Sequence, residues 1–168
     1  PEALARVRAE RLSVMGEGPI DPGRVRELTY LGAAISESMR LYPIATGVSR
    51  RLKVPMHLGG RDVKAGEIVL ASIYLTHRDP AIWKDPELFE PERMLQRRAA
   101  PWQLFPFGSG VWRCLGAAFA EHEMRIVLAE LCARFDLEPV GPPVRAVQRG
   151  ITVGPSGGLR VRVTGVRG

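Results

Sequence analysis

The stretch FGSGVWRCLGAAFA, Phe107 to Ala120, sets one cysteine between a glycine-spaced loop and a run of strong helix formers. Gly108 and Gly110 permit turns and close approaches that a Cβ would forbid, so something is expected to come near Cys114. A helix is predicted from about Gly116 to Phe135. Leu115, Phe119, His122 and Ile126 form one apolar-leaning stripe along it; Met124, Val127, Leu128, Leu131 and Phe135 form another. Two stripes predict a core helix packed on two sides. Cys114 precedes its first turn, where unpaired N–H groups and the positive end of the helix dipole favour an anion. A thiolate is such an anion, and the neighbouring Arg113 adds positive charge of the kind that favours it.

Three uses of a stabilised thiolate compete. A phosphatase-type nucleophile wants an arginine five residues further on, and Leu115 to Ala120 supply none. A hydrolase-type nucleophile wants a histidine base, and the sequence offers only His57, His77 and His122. Zinc wants a second close Cys or His, and Cys-x2-Cys spacing is absent. An axial haem ligand needs one thiolate alone.

The rest of the 168-residue chain bounds the answer. With 45% hydrophobic and 25% charged residues it reads as one globular unit rather than a disordered chain. Cys114 and Cys132 are its only cysteines, so no disulfide framework is implied, and two free thiols suit a reducing, cytoplasmic setting. No apolar run approaches membrane-spanning length and no signal-peptide pattern opens the chain. It begins at Pro1, and a preceding segment is expected to be missing. The net charge is +6, with only Lys53, Lys64 and Lys84 as lysines. The arginines are scattered and lack the aromatic interleaving or zinc-finger spacing of nucleic-acid binders, so no nucleic acid is expected.

PEALARVRAERL opens as a helix, and Asp21-Pro22 reads as the cap and first residue of a second helical region. LTYLGAAISESMRLYP carries Leu28, Leu31, Ile35 and Met39 at helical spacing and is stopped by Pro43. Strand-like runs parted by Gly59-Gly60 and Ala65-Gly66 predict a hairpin-rich sheet. From His77 to Gly108, five prolines and several aromatics predict an irregular but packed meander. ITVGPSGGLRVRV reads as two strands. The fold class is mainly α with small β-sheets, α+β.

In these features the chain resembles the haem-thiolate cytochrome P450 monooxygenases, in a bacterial, actinobacterial-like form. Glu37-Ser38-Met39-Arg40 fits the family's Glu-x-x-Arg helix. HRDPAIWKDPELFEPERM fits its meander, ending in Pro91-Glu92-Arg93-Met94. Phe107, Gly110, Cys114 and Gly116 fit its haem-binding loop, followed by the long helix. The resemblance implies the C-terminal part of that fold over residues 1–168, with haem b as cofactor, O2 as co-substrate and electrons ultimately from NAD(P)H. It makes Cys114 the axial iron ligand and the catalytic centre's one protein donor, shielded by Phe107. Gly110 and Gly116 would let loop and helix start pack on the porphyrin, with N–H groups near Gly116 tempering the sulfur. Glu37 and Arg40 alone would read as a solvated surface pair; the resemblance implies that Arg93 joins them in a partly buried network that holds the haem loop in place.

One departure stands out. Where the family commonly has Arg or His two residues before the cysteine to grip a haem propionate, this chain has Trp112, with Val111 in place of a frequent proline. An indole N–H is a weaker, neutral donor, and Arg50 is the candidate to hold a propionate from the sheet side. Cys132 and His122 are read as core, and neither His122 nor His77 is given any chemistry. Ile44 to Val48 and the stretch near Gly150 and Ile151 would contact a small lipophilic substrate. The partner would be an acidic ferredoxin or a flavodoxin docking on arginines around the cysteine loop. The family's oxygen-activating helix would precede Pro1. The alternative is a truncated, inactive product with weak haem binding or none.

Overall fold

Glu10 decides how the first two long helices meet. The computed structural model describes residues 1–167 and begins with helix α1 (Glu2–Met15), followed after a 3-10 turn by helix α2 (Thr29–Leu41). Leu28 at the N-cap of α2 has no capping side chain. The Glu10 carboxylate replaces it, accepting the backbone N–H groups of Tyr30 (2.6 Å) and Leu31 (2.9 Å) and the Thr29 hydroxyl (3.0 Å). Orphan donors are thereby satisfied and an anion faces the positive end of the helix. The helix expected at Asp21-Pro22 does not start there: Asp21 accepts the Gly23 N–H at 2.8 Å, a local turn that competes with helix entry. Downstream, Leu28, Leu31 and Ile35 are buried as their spacing predicts, meeting Val7 of α1 and Ala129 of the last helix, with Met39 at the edge.

After Pro43 the chain turns to strands. Strand β1 (Gly47–Arg51) pairs antiparallel with β4 (Ile68–Ser72), and β2 (Met56–Leu58) with β3 (Arg61–Val63) across the Gly59-Gly60 turn. A short helix α3 (Ile73–Thr76) leads into the meander, which has only one further helix, α4 (Glu92–Gln96). The meander is packed, as its aromatics predict. Trp83 is buried and donates its indole N–H to the Thr76 carbonyl at 3.1 Å, and Phe105 is buried near the meander's far end.

Helix α5 (Ala117–Arg134) corrects one expectation. It packs on α1, α2, the 3-10 turn and the following strand. Only Ala117 and Ala129 of it are buried, while Leu115 just before it is fully exposed and Phe119 is 71% exposed. One face is therefore packed and the other carries apolar side chains in the open. At its C-terminal end Arg8 of α1 donates to the carbonyls of Cys132 (2.7 Å) and Phe135 (2.8 Å), satisfying acceptors the helix itself leaves open.

The C-terminal strands also differ in partner from what local pattern suggests. Strand β7 (Thr152–Pro155) and strand β8 (Val161–Val166) do flank the Gly-rich turn, but β7 pairs with β6 (Ala146–Arg149) and β8 with β5 (Phe135–Pro139). Neither β5 nor β6 stands out in the sequence. The described residues form a mainly α fold with four two-stranded sheets, the α+β class expected.

Candidate functional site

The cysteine loop is closed by its own backbone. The Cys114 N–H donates to the Phe107 carbonyl at 2.9 Å, Gly108 N–H to Phe105 at 2.9 Å, and Arg113 N–H to Gly110 at 3.1 Å. Gly108 (φ 74°) and Gly110 (φ 67°) occupy the left-handed region that the tight turns demand. Gly116 does not: its φ of −80° suits any residue, and a Cβ there would make ordinary contact with the Cys114 Sγ at 3.8 Å. Within this chain its small size leaves room without being required. Gly110→Ala, which meets no atom within 4 Å, is expected to cost about 1 kcal/mol through backbone strain alone. Gly116→Ala should spare stability, and thermal melts of the two variants check the contrast.

Clamped in this way, Cys114 is an exposed free thiol. It lines a cavity of about 740 Å³ together with Phe107, Trp112, Val48 of β1, Met39 of α2 and Leu128 of α5. Among the described residues no Asp, Glu, Lys, Arg or His lines that cavity. Nor do they include a cluster of three metal-binding side chains. A nucleophilic thiol would need a base within hydrogen-bond reach, and a structural zinc would need more ligands. Of the two thiols on the wall of this large apolar space, Cys132 is packed against the core and Cys114 is exposed in the loop. One such exposed sulfur fits a flat, apolar prosthetic group that brings its metal with it, which is the donor set of a haem-thiolate site.

The loop's basic residues part company. Arg113 reaches toward Glu121 of α5, 3.7 Å away. Arg50 on β1 lies with its guanidinium 5.7 Å from the centre of the Trp112 ring. A cation on the sheet thus stands within reach of the Trp112 ring face. Cys132 is half-buried against the α1–α2 core, and burial pushes its thiol up.

Behind the loop stands the acid–base network. Glu37 and Arg40 are fully buried, so the pair is more deeply enclosed than the resemblance implies. Arg40 Nε donates to Glu37 Oε2 and Nη2 to Oε1, both at 2.8 Å, in a two-pronged pair. Glu37 Oε1 also accepts Arg93 Nε at 3.0 Å and the Glu90 N–H at 3.1 Å. Arg40 Nη1 reaches the carbonyls of His77 and Pro86, each at 2.7 Å, and Nη2 that of Leu88 at 3.1 Å. Arg93 Nη1 takes the Lys84 carbonyl at 2.7 Å. Helices α2 and α4 and the meander between His77 and Glu90 are tied together through one carboxylate and two guanidinium groups. Desolvation of these charges is offset because nearly every donor is used.

The residue missed in the sequence is His77. It is fully buried, its ring accepts the Phe105 N–H at Nε2 (3.0 Å), and its carbonyl takes Arg40. The signal was a histidine opening the Pro-rich meander, indistinguishable by pattern from a satisfied core residue.

With this fold and site in view, the class is a haem-thiolate one, and the comparisons agree. The Cytochrome P450 family model matches residues 1–159, so the chain belongs to the cytochrome P450 family. A crystal structure of a cytochrome P450, CYP102L1, superposes on 99% of this chain and 39% of its own with a TM-score of 0.87 and 31% identity. Ferruginol synthase of Salvia fruticosa is 35% identical over 160 residues, covering 92% of this chain and 32% of its own length. Cytochrome P450 4B1 of Homo sapiens is 35% identical over 158 residues, covering 88% of this chain and 30% of its own. The chain spans about a third of the length of these curated relatives.

Proposed function

We propose that residues 1–168 are the C-terminal haem-binding part of a monooxygenase whose oxygen-activating helix lies outside this chain. The observation that carries the reading is the exposed Cys114 thiol, presented by a backbone-closed loop to an apolar cavity with no acidic or basic side chain on its wall, while the second lining thiol, Cys132, is half-buried in the core helix. Haem b, when bound, supplies oxygen activation, with a thiolate ligand pushing electron density to favour O–O cleavage. The chain's residues do the rest. Cys114 holds the iron. The Phe107 carbonyl fixes the Cys114 backbone, and Phe107, on the same cavity wall, would shield the sulfur once the group is bound. Arg50, whose guanidinium lies 5.7 Å from the Trp112 ring centre, would hold a propionate. Glu37, Arg40 and Arg93 keep the meander, and with it the loop, in place.

The overall reaction converts a C–H bond of a small lipophilic substrate to C–OH. One atom of O2 enters the product and the other leaves as water, with two protons and with two electrons ultimately drawn from NAD(P)H. Ile44, Ala45 and Val48 line the cavity and give it an apolar wall. The stretch after Gly150 joins them through the Val153 N–H, which donates to the Ile44 carbonyl at 2.7 Å. Exposed Arg97, Arg98 and Arg113 supply positive charge for an acidic ferredoxin or a flavodoxin. Two free thiols and the absence, among the described residues, of a helix long and apolar enough to cross a membrane support a cytoplasmic setting. Arginine in place of lysine supports an actinobacterial-like origin. The test is turnover of the whole protein under 18O2 with a reconstituted electron supply. One labelled atom in the product supports the reading, and an unlabelled product overturns it.

A second reading, an inactive product with weak haem binding, is favoured by the exposed Leu115 and Phe119 and by Trp112 in the propionate position. Titration of haem into the 168-residue chain separates the two, saturable binding favouring the first. Trp112→Arg is expected to tighten haem binding about tenfold by replacing a neutral donor with a charged one. Unchanged affinity would show that Arg50 already does this work.

A further inference from the structure

Among the described residues no side-chain hydrogen bond or ion pair runs from Glu37, Arg40 or Arg93 to the stretch Phe105–Gly116, and His77 bonds to both sides. His77 presents two handles. Its carbonyl accepts Arg40 Nη1 at 2.7 Å, and its ring Nε2 accepts the backbone N–H of Phe105 at 3.0 Å. Phe105 begins the loop: its carbonyl receives the Gly108 N–H at 2.9 Å, and two residues on, the Phe107 carbonyl receives that of Cys114, also at 2.9 Å. The imidazole packs edge-on to the Phe105 ring, 5.4 Å between centroids and 78° between planes, which fixes its orientation.

An accepting Nε2 puts the proton on Nδ1. Nδ1 is buried and meets no acceptor in hydrogen-bonding geometry, the backbone at Arg40 and Met39 interacting with it only loosely. The charged groups that face the ring are Arg40 from α2 and Arg78 beside it in the meander, both cations. Burial first, and then these two guanidinium groups, push His77 down to about 4. A buried imidazole near two cations stays neutral and keeps its Nε2 lone pair for Phe105.

We propose that His77 is a positioning residue for the cysteine loop: its neutral ring relays the Glu37–Arg40–Arg93 network to Phe105 and so sets where Cys114 is held. The proposal rests on the reading of Cys114 as the ligand-bearing residue, but its test does not involve the sulfur. Amide hydrogen exchange of the 168-residue chain reads it. His77→Leu fills similar space and removes the acceptor, and is expected to speed exchange at Phe105 about tenfold or more, with a smaller gain at Cys114. Amides of α2 such as Leu31 and Ile35 should not change. His77→Gln, whose side-chain carbonyl reaches about as far as Nε2, should restore protection at Phe105. Equal Phe105 protection in His77→Leu would overturn the relay. So would a loss spread evenly over α2 that His77→Gln fails to reverse, because that pattern belongs to packing alone. If His77→Leu does not fold, His77→Gln decides alone: wild-type protection at Phe105 supports the relay, and a tenfold faster rate overturns it. A haem spectrum unaffected by loss of the Cys114 thiol would sink the ligand reading and leave these exchange rates untouched.

Discussion

Glu37→Gln is expected to destabilise the protein by about 3–5 kcal/mol, the cost of leaving buried charge without its partner. For a chain of this size that lowers the melting temperature on the order of 10 °C. The substitution keeps the shape and one acceptor oxygen, yet turns the other oxygen into a donor facing Arg40. It leaves Arg40, fully buried, and Arg93, 10% exposed, with no carboxylate between them. Glu27→Gln is the control: the Arg24–Glu27 pair has similar spacing and distance but lies in solvent. Its loss should scarcely move the melt, since exposed pairs contribute little. In the proposed reading the network also holds the loop, so haem incorporation should fall with Glu37→Gln and hold with Glu27→Gln. Equal melts for the two variants, or undiminished haem incorporation in Glu37→Gln, would contradict the role assigned to the network.

Acid is expected to unfold the protein earlier than its carboxylates alone would allow. His77 takes up a proton near 6.5 in the unfolded chain and only at about 4 when folded, mainly because burial penalises the charged ring. Between those values the unfolded state binds the extra proton, so stability is complete above about 6.5 and is lost as pH falls toward 4. The loss is on the order of 3 kcal/mol across the window. Asp136 is held below its ordinary 3.8 chiefly by hydrogen bonds from Arg167, and its contribution is lost only at lower pH. Urea denaturation at stepped pH separates the two. His77→Gln, with nothing to protonate, should flatten the upper part of the curve and leave the part below about pH 4. An unchanged slope between 6.5 and 4 would show that His77 carries no such proton.

The features legible in the sequence were those set by local chemistry. Leu28, Leu31 and Ile35 announce their helix face by spacing, Gly59-Gly60 its hairpin, and Gly108 and Gly110 the positive φ values of the loop. What was not legible depended on partners far along the chain. Strand β5 pairs with a segment some 25 residues on, and nothing in Phe135–Pro139 distinguishes it from a fraying helix end. The stripe of Leu115, Phe119, His122 and Ile126 is real as a pattern, but Leu115 and Phe119 stand exposed because none of the described residues covers them. Glu37 and Arg40 show the limit most clearly. By spacing alone they are a surface pair, and only carbonyls contributed from His77, Pro86 and Leu88 make them a buried one. Arg50 and Trp112, more than sixty residues apart, meet only because β1 runs beside the loop. His77 went unread for the same reason: its two partners lie 37 and 28 residues away in opposite directions.

The most direct measurement is the absorption spectrum of the reduced, carbon monoxide-bound whole protein, recorded for the wild type and for Cys114→Ser. A thiolate opposite the bound gas shifts the Soret band to the red. The account predicts that shift in the wild type and its loss in Cys114→Ser, where a hydroxyl replaces the sulfur. A red-shifted band that persists without the Cys114 thiol, or one that never forms with it, would contradict the assignment of Cys114 as the iron's ligand.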